Sequence, residues 1–197
     1  MLDPRGGAMA EIILFHHSQG LTPGIRAFAD ELAAAGHTVH VPDLFDGRTF
    51  DDVETGVAHA QELGFDTVMA RGVAAAEELP AELVYAGFSM GVMPAQRLAQ
   101  TRPGAVGALF VDACLPVAEF GTWPDGLPVQ IHGGVDDDWF AEDLESARAL
   151  AGSVPTAELF LYSGTAHLFA DRSVRGHDPA AAALLSERAL AFLGTWA

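Results

Sequence analysis

The sequence predicts an α/β fold in which a mostly parallel central sheet is covered by helices on both faces. Three observations lead there. Short apolar runs alternate with longer segments of helical spacing along almost the whole chain, the pattern of strands joined by crossover helices. Half of the 197 residues are hydrophobic, enough to bury one substantial core in a single domain. The apolar run at 83–86 leads through Gly87, Ser89 and Gly91 directly into a helical segment, as a strand in such a sheet does when it turns into its crossover.

Taken in order, the first strand is expected at 11–16, followed by a helix over 25–35 that stops at Gly36, a residue suited to the left-handed turn after a helix. A second strand over 38–41 precedes a broken helical pair, 53–63 and 67–79. The strand at 83–86 is followed by a helix over 90–100 that Arg102-Pro103 ends, because the residue before a proline disfavours helical backbone. Strands at 106–111, 129–131 and 159–161 complete the sheet, with a short helix at 144–151 between the last two. The closing helix, 179–193, carries its own start signal, Asp178 as cap and Pro179 at the first helical position. Residues 1–10 read as a mobile N-terminal extension and 11–197 as one domain. No repeat and no linker divides the chain.

Composition removes several classes of function. A formal charge of −17 repels phosphate backbones and anionic membranes, so neither nucleic acid nor membrane is an expected partner. No apolar run approaches the length of a membrane span. All ten basic residues are arginine, which excludes lysine Schiff-base or lysine general-base chemistry. Cys114 is the sole cysteine; it forms no intrachain disulfide and reads as a small buried hydrophobe. The N-terminus lacks the basic start and apolar run of a secretory signal, so a cytoplasmic monomer or homodimer is the expectation.

The most informative segment is Leu83-Val84-Tyr85-Ala86-Gly87-Phe88-Ser89-Met90-Gly91. Between strand and helix the turn is so tight that its backbone is strained, and only glycine leaves room on either side of an exposed serine. The following helix aims its free N–H groups at the turn, so the Met90 amide is placed to hold an oxyanion formed when Ser89 attacks a carbonyl. The bland alternative, a chance Gly-x-Ser-x-Gly in a glycine-rich chain or a serine that merely caps the helix, is countered by the strand before and the helix after.

A serine nucleophile needs a general base and an acid that orients it, and in this chain order both follow later strands. His167 ends the loop Ser163-Gly164-Thr165-Ala166-His167 after the last strand; the other seven histidines lack that placement. The acid lies in Gly133-Gly134-Val135-Asp136-Asp137-Asp138-Trp139-Phe140, where any of three adjacent aspartates serves by position alone, the others facing solvent or capping a helix.

Together the elbow, the aspartate loop and Gly164-Thr165-Ala166-His167-Leu168-Phe169 resemble the dienelactone hydrolase family, a branch of the α/β-hydrolases. The resemblance runs over 12–193 and includes Val41-Pro42-Asp43-Leu44 and the closing Glu187-Arg188-Ala189-Leu190-Ala191-Phe192-Leu193. It implies an α/β-hydrolase fold and, from the spacing to Trp139-Phe140, Asp137 as the acid. It also implies that His16-His17-Ser18-Gln19-Gly20 supplies the second oxyanion amide, that of Ser18. Three departures matter. The family's type members use cysteine where this chain has Ser89. Their first-loop glutamate falls on His17, which is either a pocket contact or a loop histidine bonded to backbone. Their arginine after the histidine falls on Asp171, with Arg172 next to it.

The resulting expectation is a hydrolase of small esters, lactones or thioesters acting through Ser89, Asp137 and His167, with His17, Phe88, Trp139 and Arg172 as substrate contacts and with neither cofactor nor metal. Trp123 and Phe169 are further candidates for an apolar wall. No lid domain is expected, because 114–127 is short and rich in proline and glycine. Two alternatives belong to other classes: a noncatalytic binding module on the same fold, and a metal site of His16, His17 and the aspartates.

Overall fold

The structure, a computed structural model, describes residues 9–195. Six strands form one sheet in the order β2-β1-β3-β4-β5-β6, with every neighbouring pair parallel. They are β1 (Glu11–Phe15), β2 (Thr38–His40), β3 (Leu83–Phe88), β4 (Ala105–Val111), β5 (Val129–Gly134) and β6 (Ala157–Tyr162). Alternation decides which face each side chain covers. On β1, Ile13 and Phe15 join one core cluster while Ile12 and Leu14 join the other; on β3, Tyr85 opposes Val84 and Ala86 in the same way.

One face is covered by α1 (Pro23–Ala34) and the closing helix, which bring Ile25, Phe28, Leu32, Leu185, Ala189 and Phe192 to it. The other is covered by α2 (Val53–Leu63), α3 (Phe65–Ala75), α4 (Val92–Thr101) and α6 (Leu144–Ser153). The short α5 (Asp138–Ala141) follows β5, and the closing helix is α7 (Pro179–Leu193). The Asp178 side chain accepts from the Ala180 and Ala181 amides, the cap expected from the sequence. The broken helical pair is split at Gly64, whose φ of +86° ends one helix and admits the next.

Several boundaries differ from the sequence expectation, among them α3, which ends at Ala75, and β5, which runs on to Gly134. Helix α4 starts at Val92, because Ser89–Gly91 form a tighter 3-10 turn first. The expected N-terminal extension lies outside the described residues apart from Met9 and Ala10, and Ala10 belongs to the fold: it is buried, and its N–H donates to His37 Nδ1 at 3.2 Å. Between β4 and β5 the chain makes only a 3-10 turn, Val117–Glu119, so no lid covers the sheet edge there. Among the described residues no helix is long and apolar enough to cross a membrane.

In this strand order β1 is followed by strands on opposite sides, and a crevice opens at the carboxyl ends of the strands beside that reversal. The loops after β1, β3, β4, β5 and β6 all converge there.

Candidate active site

Ser89 sits at the end of β3 with φ of +48°, in the left-handed region that an L-residue enters only under constraint. The constraint is visible in the flanking glycines. A Cβ on Gly87 would lie 2.3 Å from Gly91 O, and one on Gly91 would lie 2.3 Å from Phe15 O. Both contacts are to backbone, which cannot step aside, so the turn requires glycine at both places.

The loop after β6 brings His167 over that turn. Ser89 Oγ donates to His167 Nε2 at 2.8 Å, and His167 Nδ1 donates to Asp137 Oδ2 at 2.7 Å. Of the three adjacent aspartates it is Asp137 that turns inward, 1 % exposed. Its second oxygen accepts from the Trp139 amide at 3.0 Å and so caps α5. Both carboxylate oxygens are therefore occupied, which holds the imidazole in one orientation. Burial alone lowers the imidazole pKa, but the Asp137 hydrogen bond and the fields of Asp112, Asp137 and Asp143 outweigh it, and the net shift is upward. A base that holds its proton more strongly than free histidine, aimed at a serine hydroxyl, is arranged for proton abstraction.

These residues open into a cleft of about 310 Å³, at the small end of ligand sites. Ser18 and Met90 line it beside Ser89 and His167, with Trp139, Val53, Val57, Phe65, Met93 and Leu115 as apolar wall. Its acidic lining is Asp112, Glu142 and Asp143. Trp139 is 42 % exposed and its ring centroid lies 5.9 Å from that of His167.

Three expected substrate contacts are not brought to this cleft. Phe88 is buried on the opposite face of the sheet, edge-on to Phe28, because the strand alternation that exposes Ser89 turns its neighbour into the core. His17 is fully buried: its Nε2 donates to Asp171 Oδ2 at 2.8 Å, and its Nδ1 accepts from the Gln19 amide at 3.2 Å. Desolvation lowers its pKa, which keeps it neutral in that tautomer. Arg172 is exposed and borders a separate depression with Phe28, Glu31 and Ser186. The cause lies one residue earlier. Asp171 is drawn inward, taking bonds from His17, Thr22 and Ser173 that outweigh its burial and hold its carboxyl down to about 2, and the next side chain is thrown outward. Arg175, three residues later, borders the outer cleft instead, with Asp52, Asp138, Thr165 and His167.

The remaining wall candidates also belong to the core: Phe169 packs on Tyr162, and Trp123 meets Phe110 edge-on. Sequence periodicity had no means of finding Val53, Val57 and Phe65, since it reads which face of a helix is apolar but not where that helix crosses the sheet.

His16 is neutral as well, held near pKa 4 by burial; its Nδ1 donates to His17 O and its Nε2 accepts from the Leu44 amide. Neither first-loop histidine offers a free nitrogen to a metal. Donor atoms of Asp112, Asp137 and His167 do lie within 4.8 Å of one another, but both nitrogens of that imidazole already have partners, and a cation would have to displace the proton bound toward Asp137. Cys114 is buried and its thiol is pushed up to about 12 by burial, which makes it inert as a nucleophile.

The sequence profile described as the dienelactone hydrolase family matches residues 2–197. No curated protein sequence matches. Among solved structures, a Klebsiella pneumoniae protein classed as a dienelactone hydrolase superposes with a TM-score of 0.74 at 19% identity, over 96% of this chain and 88% of its own. A dienelactone hydrolase-like promiscuous phosphotriesterase from metagenomic libraries reaches 0.71 at 16% identity, over 98% and 89%. Esterase 2 of Thermogutta terrifontis, solved phosphorylated by paraoxon, reaches 0.63 at 21% identity, over 95% and 82%. At these identities the similarity is one of fold.

Proposed function

The chain belongs to the dienelactone hydrolase family, and on that premise we propose that it is a serine-type hydrolase of small carboxylic esters, lactones or thioesters. The observation that carries the reading is the unbroken relay from Ser89 Oγ through His167 to Asp137, with links of 2.8 and 2.7 Å. In the proposed cycle His167 Nε2 takes the Ser89 proton as Oγ attacks the substrate carbonyl. The resulting oxyanion is held by the amides of Met90 and Ser18, and the leaving alkoxide or thiolate departs with the proton from His167. Water then adds to the acyl-enzyme as the same imidazole takes one of its protons, and His167 passes that proton to Ser89 Oγ as the acid leaves. The cycle needs neither cofactor nor metal.

Size and charge narrow the substrate. An open cleft of about 310 Å³ suits a small soluble ester better than a long lipid. Its acidic lining, Asp112, Glu142 and Asp143, disfavours an anionic acyl group. One structural relative is named a phosphotriesterase and another was phosphorylated by paraoxon, so a phosphorus electrophile is an apt probe. The test is mass-spectrometric mapping after incubation with a fluorophosphonate, with Ser89→Ala as control. Modification at Ser89, absent from the variant, is the expected result; a folded protein that stays unmodified overturns the reading.

A further inference from the structure

We propose that Asp112, at the carboxyl end of β4, is a second acid on His167, sharing with Asp137 the orientation of the imidazole and the stabilisation of its protonated form. The inference rests on the relay reading above and adds a residue to it. Asp112 is buried, and its φ of +58° places it in the left-handed region, a conformation that glycine would adopt more cheaply. One carboxylate oxygen, Oδ2, accepts from the Leu168 amide at 3.1 Å. It thus grips the residue directly after His167, itself at φ of +62°. The other oxygen, Oδ1, is buried and has no hydrogen-bond partner among the described residues. Donor atoms of Asp112, Asp137 and His167 lie within 4.8 Å of one another, a separation at which a carboxylate charge acts directly on the imidazole.

Anchoring Leu168 alone asks only for a neutral acceptor, which asparagine supplies. A carboxyl placed in so dry a position, with an idle oxygen beside an imidazole that gains a charge during reaction, has a further use. Burial pushes the Asp112 carboxyl up to about 7, with the charge of Asp137 acting in the same direction and that of His167 against it. When His167 takes the serine proton, its new positive charge favours ionised Asp112, and the imidazolium is then met by two carboxylates. Other titratable groups coupled to this cluster are the Tyr162 hydroxyl from β6, raised by burial and to a lesser degree by Asp112, Asp143 before α6, which interacts with His167, and neutral His17 from the loop after β1, which also feels the His167 charge.

The test compares hydrolysis of 4-nitrophenyl acetate and fluorophosphonate labelling in the parent, Asp112→Asn, Asp137→Ser and the double variant. Asparagine keeps an acceptor for the Leu168 amide, and serine keeps a cap for α5. Losing the orienting acid costs serine proteases about 10⁴-fold in kcat; with Asp112 in reserve, Asp137→Ser is expected to lose only about 10²-fold, and adding Asp112→Asn to remove most of the remainder. Asp112→Asn alone is expected to lower kcat about tenfold with KM unchanged, a split that marks an effect on the transition state. A double variant as active as Asp137→Ser, or Asp112→Asn with parental kcat, overturns the proposal. If Asp112→Asn does not fold, the low-field ring-proton resonance of His167 in Asp137→Ser decides: its survival supports a second acid, and its loss excludes one. Failure of the relay reading itself shows separately, as an unlabelled parent protein.

Discussion

His17 and Asp171 are 154 positions apart in sequence, yet their side chains meet at 2.8 Å with neither exposed to solvent. The pair fastens the loop after β1, which carries Ser18, to the turn that follows His167. Asp171→Ala would leave His17, Thr22 and Ser173 without their common acceptor, at a cost of about 3 kcal/mol. For a chain of this size that corresponds to a fall in Tm of about 6–12 °C. A folded-state pKa held from 3.8 down to about 2 means stability that is present above pH 4 and lost as pH falls toward 2. The Tm gap between parent and variant, read by circular dichroism, should therefore shrink on acidification; a gap independent of pH refutes an ionised Asp171 carboxylate.

The strain at Ser89 predicts a trade between stability and activity. Ser89→Gly relieves a left-handed φ at the expense of a more flexible unfolded chain, for a net gain of about 0.5–1 kcal/mol. The same variant should show no fluorophosphonate labelling. A thermal melt in which Ser89→Gly is less stable than Ser89→Ala would contradict the strained turn.

Gly91 offers the opposite case. The Cβ of Gly91→Ala would lie 2.3 Å from Phe15 O, a backbone clash that shifts β1 against the elbow and costs about 3 kcal/mol. Labelling at Ser89 should fall more than tenfold even in the fraction that remains folded. Parental labelling in Gly91→Ala would show that the turn tolerates a side chain.

The pH dependence of labelling follows from His167. The base must be neutral to accept a proton, and its pKa is raised above 6.5, so the rate should climb with pH through a midpoint on the alkaline side of 6.5. Asp137→Asn removes the carboxylate charge and the charge-assisted hydrogen bond that raise that value, and should move the midpoint to lower pH while lowering the plateau. An unchanged midpoint in the variant would uncouple Asp137 from the imidazole.

Trp139 lines the cleft, whereas Arg172 borders a different depression. Trp139→Ala removes an apolar wall beside the imidazole and should raise KM for a small aryl ester about tenfold, the scale of one to two kcal/mol of lost contact. Arg172→Ala, altered on the far side of the Asp171 turn, should leave KM within about twofold. Steady-state kinetics on both variants checks the pair.

Most of this architecture was legible in one dimension. Six apolar runs separated by helical segments are a local signal, since strand and helix periods are written by neighbouring residues. Gly87, Ser89 and Gly91 declared the elbow because steric exclusion at a tight turn acts over a few residues, and Asp178-Pro179 declared the last helix for the same reason. The placements of Phe88, His17 and Arg172 were not legible. Phe88 is set by the face of β3 on which it falls, while His17 and Arg172 are set by where a buried aspartate 154 residues from that histidine finds its hydrogen bonds. Nor was Asp112, which stands near Asp137 and His167 only because β4 and β5 are neighbours in the sheet. The sequence determined the elements, the tight turn that carries Ser89 and the loop that carries His167, because local backbone sterics decide those. Tertiary structure alone decided which polar side chains turn inward and which helix walls the cleft, because burial and long-range hydrogen bonding depend on elements that the chain brings together only when folded.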